Sequence, residues 1–112
     1  MPILLASASP RRAELLRNAA IPFTVEASHV PEERAPEENP LDYALRLARD
    51  KAQFVFTRHP QRIVLGADTV VVVDQHLLEK PQDANDAARM LRLLSGRTHE
   101  VITCVSLMAK GF

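Results

Sequence analysis

Residues 63–73 read Ile63-Val64-Leu65-Gly66-Ala67-Asp68-Thr69-Val70-Val71-Val72-Val73 and determine the class of fold. Apart from Asp68 and Thr69 the stretch is apolar without alternation, the pattern of a strand that is buried on both faces of a sheet. Such strands lie between layers of helices, so the stretch predicts an α/β domain. Because Gly66 and Ala67 are small, we expect a ligand to approach the strand closely at this point.

Strands and helices alternate on both sides of this stretch. In chain order we expect a strand at 3–6, a helix from 10 to before 21, a strand at 23–25, a helix from 40 to before 59, the central strand, a turn at 74–76, a helix that starts at a cap within 83–85 and ends at 96, and a strand at 101–108. The alternation predicts a layered α/β fold in which hairpins make the central sheet mixed and helices flank it. Residues 109–112 follow the last strand without a closing helix, so we expect the fold to be truncated at its carboxyl end.

Two helix starts are marked by a capping residue followed by proline. Ser9-Pro10 and Asn39-Pro40 each place an N-cap side chain before a residue that suits the first helical position. Helical spacing predicts the buried face of the second helix as Leu41, Ala44, Leu45, Ala48, Ala52 and Val55. Residues 26–40 are acidic and rich in proline, which predicts a long loop, and such loops are often functional.

Composition argues against several classes of function. The formal net charge is zero, so we expect a small molecule as the partner, and neither a nucleic-acid polymer nor a membrane. No apolar run has the length of a membrane span and no signal peptide is evident, which indicates a cytoplasmic protein. Cys104 is the only cysteine, which excludes an intramolecular disulfide and predicts a small buried side chain. The spacing of the histidines argues against a zinc site.

The first candidate site is the segment Ser7-Ala8-Ser9-Pro10-Arg11-Arg12. Here a strand meets the amino terminus of a helix, whose free N–H groups and partial positive charge favour an anion. Arg11 and Arg12 in the first turn oppose the helix dipole at a cost of up to about 1 kcal/mol each, unless a phosphate or carboxylate offsets it. The segment therefore predicts phosphate binding. The alternative is that both arginines extend into solvent or pair with the acidic loop.

The second candidate is Asp68, which interrupts the apolar central strand. An ionised carboxylate in such a place is costly unless it binds a metal, pairs with a cation or accepts several hydrogen bonds. We therefore expect Asp68 to be functional and Thr69 to contact the same ligand. The alternative is a break in the strand at Gly66, with Asp68 capping a turn.

Further charged residues gain a role only if the fold brings them together. Lys51 and Lys80 are solvated surface charges by default, and so are the glutamates of the long loop. One of these glutamates, together with Asp68, would suit Mg²⁺, a cation that prefers a few carboxylates with phosphate oxygens and waters. Spacing does not select among Glu32, Glu33, Glu37 and Glu38.

Four blocks of sequence resemble the Maf family of nucleotide pyrophosphatases in order and spacing. They are Leu5-Ala6-Ser7-Ala8-Ser9-Pro10-Arg11-Arg12, Gly66-Ala67-Asp68-Thr69-Val70-Val71, Lys80-Pro81 and Leu94-Ser95-Gly96-Arg97-Thr98-His99-Glu100-Val101. The resemblance covers essentially the whole chain and implies one Maf-like domain over residues 1–112, with a Maf/ITPase-like fold. Within the family, the second and fourth blocks look like the branch that acts on dTTP and UTP.

The resemblance implies an enzyme that hydrolyses dTTP and UTP, and modified pyrimidine nucleotides besides, to the monophosphate and pyrophosphate with Mg²⁺ or Mn²⁺. Asp68 would be the catalytic acidic residue and, with Glu32, a metal ligand. The residues that would bind the substrate and its phosphates are Ser7, Ser9, Arg11, Arg12, Lys51, Thr69 and Lys80. The resemblance also implies a homodimer.

Later blocks of the family, among them Asp-Lys-Ala-Gly-Ala-Tyr and a substrate-binding glutamine, have no counterpart in this sequence. We therefore expect the domain to be incomplete, and we keep as an alternative a nucleotide-binding or regulatory fragment without turnover. A P-loop protein is a third hypothesis, but the sequence contains no Gly-x-x-x-x-Gly-Lys-Ser/Thr motif.

Overall fold

Strands and helices alternate along the chain as the sequence predicts. The computed structural model describes residues 2–73, 76–78, 83–96 and 99–111. Its elements are β1 (Ile3–Leu5), α1 (Pro10–Asn18), β2 (Phe23–Val25), α2 (Pro40–Arg58), β3 (Val64–Val73), β4 (His76–Leu78), α3 (Ala84–Leu94) and β5 (His99–Met108). The layered α/β class is thereby confirmed. His76, expected in a turn, instead begins β4, whereas Asp74 and Gln75 lie outside the described residues.

The sheet is mixed and β3 lies at its centre. β1 runs parallel to both β2 and β3, while β4 and β5 run antiparallel to β3. β5 pairs along the whole of β3, from Val64 opposite Met108 to Val73 opposite His99. Because β5 takes one entire edge of β3, β1 and β4 share the opposite edge, with β1 at Val64 and Leu65 and β4 at 71–73. The predicted mixed sheet is confirmed.

Both predicted helix caps are present. The side chain of Ser9 accepts a hydrogen bond from the backbone N–H of Arg12, and that of Asn39 accepts one from Asp42, with proline following the cap in each case. Each cap satisfies one of the amino-terminal N–H groups that the helix itself leaves unpaired. Local sequence therefore fixes where α1 and α2 begin.

Helix α2 covers one face of the sheet, but not with all of the residues expected. Its buried residues are Tyr43, Ala44, Leu47, Ala48, Ala52 and Val55. Leu41 and Leu45, predicted to be buried, are 49% and 42% exposed. Ala44, Ala48, Ala52 and Val55 are buried as expected, whereas the prediction was wrong at Leu41 and Leu45, because the 3.6-residue period does not fix how far the buried stripe extends to either side. Tyr43 and Leu47 take the inward positions instead.

Gly66 is the point where α2 approaches β3 most closely. A Cβ atom at Gly66 would lie 2.4 Å from the carbonyl oxygen of Ala48 and 2.7 Å from the backbone nitrogen of Ala52. The small residue at this position therefore admits the backbone of the helix. The expectation that a ligand approaches the strand at Gly66 was wrong, because α2 already fills that space.

The other face of the sheet is covered only in part. Ala67 and Val73 of β3 are buried, but Thr69 between them is exposed. On β5, the exposed apolar side chains are Val101, Val105 and Leu107. The expectation that β3 is buried on both faces was therefore wrong in part: the face against α2 is buried from Val64 to Val70, but the opposite face is exposed at Thr69. None of the helices in the described ranges is long and apolar enough to cross a membrane.

Candidate functional site

Two serines shape the turn between β1 and α1. The hydroxyl of Ser7 accepts a hydrogen bond from the Ser9 backbone N–H at 3.1 Å. The hydroxyl of Ser9 in turn accepts from the Arg12 backbone N–H at 3.4 Å and so caps α1. The turn leaves the amino terminus of α1, which has no acidic residue in its first turn, beside the carboxyl end of β1. Such a terminus favours a negatively charged ligand.

Arg12 links this turn to the central strands. Its Nη1 donates to Ser7 Oγ at 3.4 Å, and its Nη2 donates to Thr69 Oγ1 at 2.9 Å. Thr69 Oγ1 also lies 3.0 Å from Thr103 Oγ1 on β5. The Arg12 guanidinium is therefore held between Ser7, which follows β1, and Thr69 of β3. Arg11 is exposed in the first turn of α1 and makes none of these contacts.

Asp68 is held by Lys51 of α2. Lys51 Nζ donates to Asp68 Oδ1 at 3.0 Å, and only about a tenth of each side chain is exposed. The same Lys51 Nζ lies 2.8 Å from Glu32 Oε1 of the long loop. This pairing compensates the carboxylate that interrupts the apolar strand. The alternative of a strand break at Gly66 was wrong, because β3 continues through Asp68 with unbroken pairing to β5.

These side chains converge on one cavity of about 450 Å³. It is lined by Ser7, Ala8, Ser9, Arg12, Ser28, Glu32, Lys51, Asp68 and Thr69. Most of the residues selected from the sequence thus meet in one place. Arg11 is not among the lining residues, and Lys80 lies outside the described residues. The charge in the cavity is mixed, with cations from α1 and α2 and carboxylates from β3 and the loop.

The carboxylates of Glu32 and Asp68 are the groups in the cavity that could hold a divalent cation. Glu32 and Asp68 both direct a carboxylate oxygen at one ammonium group, so a positive charge between them is already accommodated. Two carboxylates leave room for the phosphate oxygens and waters that Mg²⁺ and Mn²⁺ take up as further ligands. Within the described ranges there is no group of three or more His, Cys, Asp or Glu side chains that could hold a metal ion.

Cys104 lies directly opposite Asp68 on β5 and is buried. Burial first, and then the charge of Asp68, raises the pKa of the Cys104 thiol above its ordinary value. Both causes disfavour the thiolate, which is the reactive form. The prediction of a small buried side chain at Cys104 is confirmed.

Two residues at the site escaped the sequence analysis. Ser28 lines the cavity from the acidic loop, and Thr103 supports Thr69 from β5. Nothing in the sequence near Ser28 marks it among the polar residues of its loop. Thr103 lies in an apolar segment, where a hydroxyl is a weak signal, and its role follows only from the register that places it opposite Thr69.

A family model described as Maf-like protein matches residues 2–111 of the chain. The dTTP/UTP pyrophosphatase of Koribacter versatilis is 60% identical over 107 residues, which are 96% of this chain and 55% of that protein. The dTTP/UTP pyrophosphatase of Geobacter metallireducens is 53% identical over 109 residues, 97% of this chain and 57% of that protein. The chain therefore spans about half the length of the curated relatives it matches.

Similarity extends to a more distant relative and, weakly, to a solved structure. The dTTP/UTP pyrophosphatase of Escherichia coli O6:K15:H31 is 48% identical over 106 residues, 94% of this chain and 54% of that protein. Protein VC0702 from Vibrio cholerae aligns with a TM-score of 0.47 and 19% identity, over 82% of this chain and 71% of that chain.

Proposed function

The chain belongs to the Maf-like protein family, and from that membership we propose that it hydrolyses dTTP and UTP to the monophosphate and pyrophosphate. The relatives from Koribacter versatilis and Geobacter metallireducens, both named dTTP/UTP pyrophosphatases, support this proposal. The observation that carries it is the convergence of Asp68 and Glu32 on Lys51, in the cavity that Arg12 borders. Modified pyrimidine nucleotides are proposed as further substrates on the family resemblance alone.

The phosphate chain would lie between α1 and α2. The amino terminus of α1, the hydroxyls of Ser7 and Ser9, and Arg12 together offer donors and positive charge at one wall of the cavity. Lys51, which pairs with Asp68, offers a second cation on the other side of the cavity. A triphosphate would offset the unfavourable placement of arginine in the first turn of the helix. Arg11 and Lys80 remain proposed phosphate contacts.

Asp68 is proposed as the general base. Its carboxylate would accept a proton from the water that attacks the α-phosphorus, while the bond from that phosphorus to the bridging oxygen breaks and pyrophosphate leaves. The hydrogen bond from Lys51 Nζ holds the carboxylate in one orientation. Thr69, beside Asp68 on the strand and bonded to Arg12, is proposed to contact the substrate.

A divalent cation, Mg²⁺ or Mn²⁺, is proposed as the cofactor, held by Glu32 and Asp68. When bound, it would neutralise charge that develops on the phosphoryl oxygens during the displacement. The pairing of both carboxylates with one cationic group supports this choice of ligands. We also propose that the protein works in the cytoplasm, in keeping with its single reduced cysteine, and as a homodimer.

The experiment compares the chain with its Asp68→Asn variant in an assay of pyrophosphate release from dTTP and UTP, with Mg²⁺ or Mn²⁺ present. We expect turnover that the variant loses, since asparagine keeps the shape of the side chain but cannot accept the proton. Asp86→Asn is the matched control, because Asp86 pairs with Arg89 on α3 and does not line the cavity. Equal turnover in the chain and in Asp68→Asn would contradict the proposal.

A second proposal is nucleotide binding without turnover. The hydrogen-bond donors of Ser7, Ser9 and Arg12 at the start of α1 support it, because they suit a phosphate chain whether or not that chain is hydrolysed. It predicts that a folded sample binds dTTP, as measured by calorimetry, and that binding weakens in Arg12→Met while no pyrophosphate is released. Pyrophosphate release by the chain would eliminate this alternative.

A further inference from the structure

Arg46 of α2 makes a cluster of contacts with the long loop that the proposed chemistry does not use. Its Nε lies 2.8 Å from Glu38 Oε2, and its Nη2 donates to Glu38 Oε1 at 3.0 Å. The same Nη2 donates to the backbone carbonyl of Glu33 at 2.7 Å, and Nη1 reaches Asp50 Oδ2 at 3.3 Å. We call Arg46, Glu38 and the Glu33 carbonyl the Arg46 clamp.

The clamp has the features of a strong interaction. A guanidinium that binds both oxygens of a carboxylate is fixed in orientation as well as in distance. Glu38 is itself tied to the loop, because its Oε1 accepts from the Ala35 backbone N–H at 3.2 Å. The hydrogen bond from Arg46 lowers the pKa of Glu38, so the carboxylate is ionised at neutral pH. The loop is therefore folded around the guanidinium of one helix residue.

The clamp holds the peptide adjacent to Glu32. Every residue from 31 to 37 is exposed, so apolar packing contributes little to the position of this segment. Glu32 nevertheless presents its carboxylate to Lys51 Nζ at 2.8 Å, in the cavity that contains Asp68. Arg46 and Lys51 both belong to α2, so one rigid element fixes the loop backbone at Glu33 and receives the side chain of Glu32.

We propose that Arg46 is a positioning residue: through the Glu33 carbonyl and Glu38 it holds the loop so that Glu32 faces Lys51 and Asp68. The role of Arg46 in turnover rests on the proposed pyrophosphatase function, whereas its role in ordering the loop does not. A surface ion pair that only added stability would have no influence on Glu32. A positioning role and a purely stabilising role of Arg46 therefore predict different effects of Arg46 substitutions on activity once Glu32 has also been replaced.

Two substitutions of Arg46 separate the two-pronged hydrogen bonding of its guanidinium from the length and the charge of the side chain. Arg46→Met keeps the length and apolar stem of the side chain, and Arg46→Lys keeps the charge but not the two-pronged geometry. Arg49→Met is the matched control, because Arg49 is exposed on the same helix and does not line the cavity. Residues that orient a ligating group typically change activity by about 10- to 100-fold when removed. We expect a loss in that range for Arg46→Met, a smaller loss for Arg46→Lys, and none for Arg49→Met.

A double-mutant cycle with Glu32→Gln tests the route of the effect. If Arg46 acts through Glu32, Arg46→Met causes no further loss of kcat/KM in the Glu32→Gln background. Losses that simply multiply, or an Arg46→Met variant as active as the original chain, would overturn the proposal. The dependence of turnover on Mn²⁺ is a second measurement. Arg46→Met is expected to raise the Mn²⁺ concentration that gives half-maximal turnover.

Amide hydrogen exchange tests the ordering of the loop without any need for turnover. Arg46→Met is expected to speed exchange across residues 31–38, while Arg49→Met leaves it unchanged and exchange in β3 stays slow in both. If the chain releases no pyrophosphate, the proposed function fails, and exchange alone decides whether Arg46 holds the loop. Unchanged exchange at 31–38 in Arg46→Met would overturn that role.

Discussion

Lys51 and Asp68 form an ion pair of 3.0 Å that joins α2 to the central strand at the cavity. Lys51→Met would leave the largely buried Asp68 without its cationic partner, at a cost of roughly 1–3 kcal/mol in the free energy of unfolding. Urea denaturation measures this loss. The double variant with Asp68→Asn should recover most of the stability, because the uncompensated charge is then gone. Unaltered stability of Lys51→Met would show that water, rather than Lys51, compensates the carboxylate.

Gly66→Ala is expected to be among the most destabilising single changes in the chain. The added methyl group would overlap the backbone of α2 at Ala48, which cannot rotate away. Overpacking of this kind costs roughly 1–3 kcal/mol, and sometimes more, in the free energy of unfolding. Gly96→Ala is a useful comparison, because it introduces backbone strain at a φ of +68° with nothing within 4 Å of the new methyl. A smaller loss for Gly66→Ala than for Gly96→Ala would contradict the packing described for α2.

Thr103→Val tests the support that β5 gives to Thr69. The substitution keeps the shape of the side chain and removes the hydroxyl that lies 3.0 Å from Thr69 Oγ1. One hydrogen bond of this kind is worth about 0.5–1.5 kcal/mol, so we expect kcat/KM for dTTP to fall by several-fold. Thr103→Ser should restore most of the activity. If Thr103→Val and Thr103→Ser behave alike, the hydroxyl of Thr103 has no part in placing Thr69.

Cys104 offers a test of the charge at Asp68 that does not depend on substrate. The charge of Asp68 raises the pKa of the thiol, so Asp68→Asn should lower that pKa and increase the thiolate fraction at a given alkaline pH. We therefore expect iodoacetamide to alkylate Cys104 faster in the variant. Mass spectrometry measures this rate over a series of pH values. Burial is the larger cause and remains, so the reaction stays slow in both proteins. An equal or slower rate in the variant would show that Asp68 does not raise the pKa of the Cys104 thiol.

Features with a local cause could be predicted from the sequence. Ser9-Pro10 and Asn39-Pro40 carry their own capping chemistry, so both helix starts were correct. Asp68 was selected because a carboxylate in an apolar strand requires a partner, and the structure supplies Lys51 and Glu32. Residue spacing could not show which glutamate of the loop reaches the site, because the path of residues 26–39 depends on contacts such as those of Arg46, and only the family resemblance named Glu32.

Features that depend on how elements meet could not be predicted. The rotation of α2 that buries Leu47 and exposes Leu45 is decided by packing on the sheet, since both are apolar. The small size of Gly66 suggests space for a ligand, because the sequence does not show that the backbone of α2 fills this space. Thr103 became relevant only through the pairing of β3 with β5. In each case the missing information is a contact between residues far apart in the chain.

The most direct test of the proposed reaction is the hydrolysis of dTTP in ¹⁸O-labelled water with Mg²⁺, with the products identified by ³¹P NMR and mass spectrometry. Attack on the α-phosphorus predicts pyrophosphate together with dTMP that carries the label, and neither product in Asp68→Asn. Orthophosphate with dTDP, label in the pyrophosphate, or no product from a demonstrably folded sample would contradict the proposed pyrophosphatase.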